Sequence, residues 1–132
     1  PGTKKSMNEH TKLLFVSGAV LAALAVMLGA FGAHGLKKTL SEEMLVVYKT
    51  AVDYHFIHAL GILLSGLFLL HYPESRTILI AGICMIIGIF VFSGSLYALS
   101  LTEFRKLGMI TPLGGMAFII GWLMLAYGLY KS

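Results

Sequence analysis

Three histidines are the side chains of this sequence best suited to chemistry. His55 and His58 are one helical turn apart and directly follow Tyr54, while His34 lies between short stretches of glycine and alanine. Imidazole binds metal ions and haem, and it exchanges protons near neutral pH. If the helix that carries His55 and His58 begins near His34, the three rings can lie at a similar depth. The pattern is then compatible with a haem or metal site, or with a path for protons.

A structural role for the same histidines is the competing interpretation. A histidine in an apolar segment can hydrogen-bond a neighbouring helix without binding any ligand. An isolated His-x-x-His pair also lacks the glutamate of the His-Glu-x-x-His zinc motif. We therefore favour interhelical hydrogen bonding over a ligand role, and we expect no cofactor and no metal.

Ser93, Ser95 and Tyr97 form a second polar set within an otherwise apolar segment. Hydroxyl groups in such a segment can bond their own backbone or a partner helix, and a pore lining is the alternative. The segment carries no acidic or basic side chain, which makes the pore the weaker alternative. No nucleophile–base arrangement, phosphate-binding loop or carboxylate pair occurs with usable spacing, so we expect no catalytic residues and no enzyme.

The composition places these polar groups in a membrane. Of 132 residues, 58% are hydrophobic and 12% are charged, whereas soluble domains carry about 25% charged residues. A chain this short cannot bury so much apolar surface as a soluble fold. The net charge of +4 comes from lysines and arginines scattered over the termini and connections, so binding to nucleic acid is not expected.

Four apolar segments predict an all-α fold, an integral membrane four-helix bundle. The predicted spans are residues 13–33, 54–72, 78–101 and 110–130, and the first is roughly 30 Å long as a helix, enough to cross a bilayer core. Residues 13–132 would form one transmembrane domain after an N-terminal tail, residues 1–12. Residues 1–6 are expected to be foreign, with Met7 as the native start.

The second helix is predicted to be longer than its membrane span. Ser41 is a candidate N-cap, and two glutamates follow in the first turn, where the helix dipole favours them. The fully apolar part begins only near Phe56, so one continuous helix over residues 42–71 would start in the interface as an amphipathic extension. Its buried stripe, at three- and four-residue spacing, would comprise Met44, Tyr48, Ala51, His55, His58, Ile62 and Ser65.

Small residues at four-residue spacing predict where the helices pack. In lipid, close helix contact depends on such residues more than on burial of apolar groups. The alternative, that Gly32, Gly114 and Gly115 allow flexibility or close approach to a bound molecule, is the less favoured one. The predicted packing residues are Gly18, Ala22, Ala25, Gly29, Ala33, Gly94, Ala98, Ala117 and Gly121.

The distribution of cationic side chains favours an orientation with both termini outside, because cytoplasmic connections carry the excess of lysine and arginine. The side with the two longer connections carries Lys37, Lys38, Lys49, Arg105 and Lys106. The side with the termini carries Lys12, Arg76 and Lys131 when residues 1–6 are left out.

Several motifs occur in a fixed order along nearly the whole chain. They are Gly29-Ala30-Phe31-Gly32-Ala33-His34-Gly35-Leu36, then Tyr48, Ala51, Tyr54-His55 and His58-Ala59-Leu60, then Phe92-Ser93-Gly94-Ser95-Leu96-Tyr97, then Ile110-Thr111-Pro112-Leu113-Gly114-Gly115. This set resembles a family of small multi-pass membrane proteins of unknown function that includes the bacterial proteins YwdK and YgdD. The resemblance implies a multi-pass protein of the bacterial plasma (inner) membrane. It implies no activity and no catalytic residues.

Two functions follow from these expectations. The favoured one is a non-enzymatic component of the lipid bilayer that forms a homo-oligomer or serves as an accessory subunit of another membrane protein. The alternative is a transporter or channel for a proton, ion or small solute, which would use His34, Tyr54, His55, His58 and the hydroxyl set. A four-helix monomer leaves little room for an aqueous path, so transport would require an oligomer. Haem or metal binding through the three histidines is a further alternative.

Overall fold

The computed structural model describes residues 7–132, and every element in that part of the chain is helical. The first span contains α1 (Glu9–Phe31) and a π-helical segment (Gly32–Leu36), and the second is α2 (Glu42–His71). The third contains α3 (Arg76–Gly88), a second π-helical segment (Ile89–Ser93) and α4 (Gly94–Thr102). A 3₁₀ turn (Arg105–Met109) and α5 (Thr111–Lys131) form the fourth.

These four spans are long and apolar enough to cross a membrane, which confirms the all-α, integral membrane four-helix fold. The helices include the predicted spans except for Tyr72, which follows the end of α2, and Ile110, which lies between the 3₁₀ turn and α5. Helix α2 is continuous from Glu42, so the predicted extension of the second helix is also confirmed. The expectation that residues 1–6 are foreign lies outside the described residues.

Short polar side chains cap the starts of α1, α2 and α3. The Ser41 hydroxyl accepts a hydrogen bond from the Met44 amide at 3.2 Å, which confirms the predicted N-cap of α2. Asn8 caps α1 and Ser75 caps α3 in the same way. Each cap satisfies a backbone N–H that has no partner inside its own helix.

Helix α2 lies at the centre of the bundle. It packs against α1 on one side and against α3 and α4 on the other, while α5 packs mainly on α3. All seven residues of the predicted α2 stripe are buried. The stripe is therefore the face that holds the other helices, and it carries both histidines into the interior.

Glycines define how α1 and α2 lie against each other. A Cβ at Gly18 would come within 2.9 Å of Leu63, and one at Gly29 within 3.3 Å of Val52. Towards the end of the first span, Gly32 faces the ring of Tyr48. As the residue number rises along α1, the number of its contact residue on α2 falls, so the two helices are antiparallel. This register fixes the relative depth of every residue on the two helices.

The remaining predicted packing residues differ in how far they are buried between helices. Gly121 lies against Ala81 and Met85, and Ala25 is buried. Ala22, Ala98 and Ala117 are half-buried, and Ala33 is exposed. Gly94 departs from the expectation, because a Cβ there would meet nothing within 4 Å. Gly94 has the expected four-residue spacing to Ala98, but no other helix among residues 7–132 packs against α4 at Gly94.

Candidate functional site

His58 lies in the interior with both ring nitrogens hydrogen-bonded. Nδ1 donates to the Tyr54 carbonyl at 2.7 Å, and Nε2 accepts from the Trp122 indole N–H at 2.9 Å. The ring also stacks on Phe118, with the two centroids 3.5 Å apart. A carbonyl only accepts and an indole only donates, so these bonds define a neutral imidazole with its proton on Nδ1. His58 ties α2 to α5 and has no free nitrogen for a ligand.

His55 is buried but only half satisfied. Its Nδ1 is 2.8 Å from the Tyr97 hydroxyl on α4. Its Nε2 is buried and has no hydrogen-bond partner among the described residues. The Leu21 carbonyl of α1 lies near the ring, but not in the geometry of a hydrogen bond to Nε2. Such an atom is rare in a folded interior and calls for an explanation.

The serines of the third span bond across to its neighbours. The Ser93 hydroxyl donates to the Ala51 carbonyl of α2 at 2.8 Å. The Ser95 hydroxyl lies 2.6 Å from the hydroxyl of Thr111, at the start of α5. Ser93 ends the second π-helical segment, whose extra residue per turn shifts the side chains that follow onto a new face. The π segment therefore helps to aim Ser93 at α2 and Ser95 at α5.

Tyr48 extends the same network to the first span. Its hydroxyl donates to the Leu28 carbonyl at 2.5 Å, and its ring packs edge-on against Tyr97 at 5.4 Å between centroids. Polar side chains thus connect α2 with α1, with the third span and with α5. We call the set formed by Tyr48, His55, His58, Ser93, Ser95, Tyr97, Thr111 and Trp122 the interior polar network.

The structure separates His34 from the other two histidines. His34 is exposed in the first π-helical segment, which lies at the level of Tyr48. In the antiparallel register, His55 lies roughly 12 Å deeper along the helix axis, at about 1.5 Å per residue. Within residues 7–132, no group of three His, Cys, Asp or Glu side chains could hold a metal ion. The expectation that the three imidazoles share one depth is wrong, because it depended on the register between α1 and α2.

Tyr54 contributes its backbone and its ring rather than its hydroxyl. Its carbonyl accepts the His58 hydrogen bond, and its ring packs on Phe92 with 4.7 Å between centroids. The side chain is 43% exposed. Tyr54 therefore covers the outer edge of the network.

Trp122 and Thr111 belong to the network although no sequence motif predicted them as members. Trp122 is the only tryptophan of the chain, and it lies in the middle of α5 rather than at an interface. An indole N–H at that depth has no water to bond and needs an acceptor from the protein. The position of Trp122 in the middle of an apolar span is therefore a sequence feature from which its need for a buried acceptor such as His58 could have been predicted.

Comparisons with known proteins agree with this architecture. The family model described as "Protein of unknown function (DUF423)" matches residues 28–115. The UPF0382 membrane protein YwdK of Bacillus subtilis is 46% identical over 120 residues, which cover 91% of this chain and 98% of that protein. The UPF0382 membrane proteins SSP2132 of Staphylococcus saprophyticus and SH2409 of Staphylococcus haemolyticus are 45% and 43% identical over the same share of the chain, and cover 98% and 97% of their own lengths. No solved structure matches significantly. These matches confirm the resemblance seen in the motifs.

Proposed function

Because the chain belongs to the DUF423 family of membrane proteins, whose function is unknown, we propose a role from its own geometry: a non-enzymatic, self-associating component of the bacterial plasma membrane. Its relatives in Bacillus and Staphylococcus are named membrane proteins, which supports the location. The role would be to build or support a membrane assembly rather than to transform a substrate.

The observation that carries this proposal is the state of the interior polar network. The buried polar side chains of this network are bonded to groups on other helices, as His58 is to Trp122 and Ser93 is to the Ala51 carbonyl. A carrier or an enzyme needs polar groups that are free to exchange partners with a substrate. Groups that are bonded to one another instead hold the helices in fixed positions, because an unpaired polar group in lipid is expensive.

The outer face of α4 supports self-association. Gly94 has open space where a side chain would stand, and Ala98 follows one turn later. Glycine inside a helix is less favourable than alanine by about 1 kcal/mol, and no side chain in the described part of the chain fills the space that Gly94 leaves. In a membrane, such small residues allow the backbone of a second helix to approach closely.

The mass of the purified protein in a mild detergent tests the proposal. We expect native mass spectrometry to find a dimer or larger oligomer for the wild type and a monomer for Gly94→Leu. A Cβ at this position meets nothing within 4 Å among residues 7–132, so we expect the fold of the monomer to be kept, and circular dichroism of the variant checks this. Ala30→Leu, at an exposed small residue of α1, is the matched control and should stay oligomeric. A wild-type monomer, or an unchanged Gly94→Leu oligomer, would contradict self-association through α4.

The surroundings of one atom, His55 Nε2, favour a second candidate function, the passage of a proton through the bundle. His55 Nε2 is buried without a partner, and its ring is bonded to the Tyr97 hydroxyl, so the pair could relay a proton. Liposomes that contain the protein and a pH-sensitive dye test this. Proton entry that is lost in His55→Gln and kept in His71→Gln, at an exposed histidine that ends α2, would favour the relay. Equal entry with and without protein would exclude it.

A further inference from the structure

A cavity of about 470 Å³ lies between the end of the first span and the first turns of α2. Its lining includes Lys37 beyond the first π-helical segment, together with Lys49 and Asp53 on α2. These three side chains take part in neither of the ion pairs formed among residues 7–132. The cavity is therefore a largely apolar chamber, open to the outside of the bundle, whose lining carries three charged side chains that form no salt bridge within residues 7–132.

The chamber continues into an apolar groove along the same two helices. This second cavity, of about 580 Å³, shares Gly29, Val52 and Asp53 with the first. It runs towards the middle of the membrane between Ala30 on α1 and Phe56 on α2. The groove exists because alanine and glycine leave space on α1 beside the larger side chains of α2. We call the chamber and the groove together the α1–α2 seam.

The order of polar and apolar residues along the seam follows the profile of a lipid leaflet. Lys49 lies one turn outside Asp53, and Phe56 lies about one turn further in. The lining changes from cationic to apolar over roughly 10 Å of helix, at about 1.5 Å per residue. The polar headgroup region of a bilayer changes to hydrocarbon over a similar distance. A molecule with a charged head and an apolar tail fits the seam along its whole length.

The net charge of the chamber determines which charged headgroup a ligand in the seam should have. Two ammonium groups and one carboxylate leave one positive charge, which a ligand with one net negative charge balances. Basic pockets between transmembrane helices recognise anionic lipid headgroups. A second copy of this chain is a poorer occupant, because a two-fold contact would bring the same net positive patch against itself.

We infer that the α1–α2 seam binds one phospholipid with a single net negative charge. Its phosphate lies between the Lys37 and Lys49 ammonium groups, and one acyl chain lies in the groove between Ala30 and Phe56. Asp53, one turn below Lys49, faces the glycerol region and keeps a second anionic headgroup out. This binding site is independent of the outer face of α4, where the self-association was placed.

Native mass spectrometry of the full protein, after removal of bound lipid, tests the site with phosphatidylglycerol as the probe. We expect one phosphatidylglycerol to bind in preference to phosphatidylcholine. Lys37→Gln with Lys49→Gln should weaken that binding about 30-fold, since each lysine near an anionic headgroup contributes about fivefold. The matched control is Lys38→Gln with Lys106→Gln, which removes the same charge from exposed positions outside the seam.

Two further measurements distinguish a lipid from a free phosphate. Ala30→Leu should fill the groove and abolish phosphatidylglycerol binding, while Gly94→Leu should leave it unchanged. Inorganic phosphate should compete only weakly, because it lacks the acyl chain. Equal binding of the two lipids, equal effects of the two lysine pairs, or lipid binding that survives Ala30→Leu would each overturn the inference. Effective competition by inorganic phosphate would reassign the chamber as a phosphate site.

Discussion

The hydrogen bond from the Trp122 indole to His58 Nε2 can be isolated by a pair of substitutions, because phenylalanine keeps an aromatic ring at either position and removes the hydrogen-bonding group. His58 is 4% exposed and stacks on Phe118. In His58→Phe, the new phenyl ring would take the same stacking position without the hydrogen-bonding nitrogens. Trp122→Phe removes the donor and leaves Nε2 as a buried acceptor without a partner. We expect both single substitutions to destabilise the bundle.

The size of the effect follows from the setting of the bond. Its length of 2.9 Å is that of a well-formed hydrogen bond, but Trp122 is 38% exposed to the surroundings of the bundle. Hydrogen bonds between transmembrane helices contribute about 0.6 kcal/mol on average and at most about 1.7. We therefore expect a coupling free energy of about 1 kcal/mol between the two sites, beyond the packing that each substitution removes.

A double-mutant cycle measures this coupling. The free energy of unfolding would be followed by circular dichroism during titration with a denaturing detergent, for the wild type, the two single variants and the double variant. The double variant should lose less than the sum of the single losses. Tyr127→Phe, at an exposed position on the same helix, should add to His58→Phe without coupling. Effects that add within about 0.4 kcal/mol would refute a stabilising hydrogen bond between Trp122 and His58.

Three further predictions use the same unfolding measurement or the purified protein. Gly114→Ala should lower the free energy of unfolding by about 1–3 kcal/mol, because its Cβ would overlap the backbone of the second π-helical segment. Gly115→Ala, whose Cβ would make only an ordinary contact, should change the stability little. Equal losses in the two variants would contradict this. Tyr97→Phe should cost about 1–3 kcal/mol by leaving both nitrogens of His55 unpaired, against no measurable loss for Tyr130→Phe at the exposed end of α5. The purified protein should show no haem absorption band and no stoichiometric metal; either one would restore the ligand role of the histidines.

The buried face of α2 was predictable from sequence because one helix determines it. Residues at three- and four-residue spacing share a face whatever surrounds them, so Met44 to Ser65 could be identified as a stripe before any partner was known. The Ser41 cap was predictable for the same reason, since it depends only on the first turn of its own helix. Such local features do not depend on how helices meet.

The features that were wrong or missed depend on relations between helices. The depth of His34 relative to His55 depends on the register of α1 against α2, which the contacts of Gly18 and Gly29 set. Gly94 has the same small-residue spacing as a packing glycine, and spacing does not say whether the face points into the bundle or away from it. The two π-helical segments also change which residues share a helix face. No periodic pattern of apolar residues in the sequence predicts where these segments occur.

Cysteine cross-linking in intact membranes tests the central claim, self-association through the outer face of α4, most directly. Gly94→Cys and Ala98→Cys would each be placed in a Cys84→Ala background, and Ala30→Cys would serve as the control. A disulfide requires two Cα atoms within about 7 Å, so mild oxidation should link two copies through at least one α4 position and not through Ala30. Absence of a cross-linked dimer at both α4 positions, or equal cross-linking at Ala30, would contradict the account.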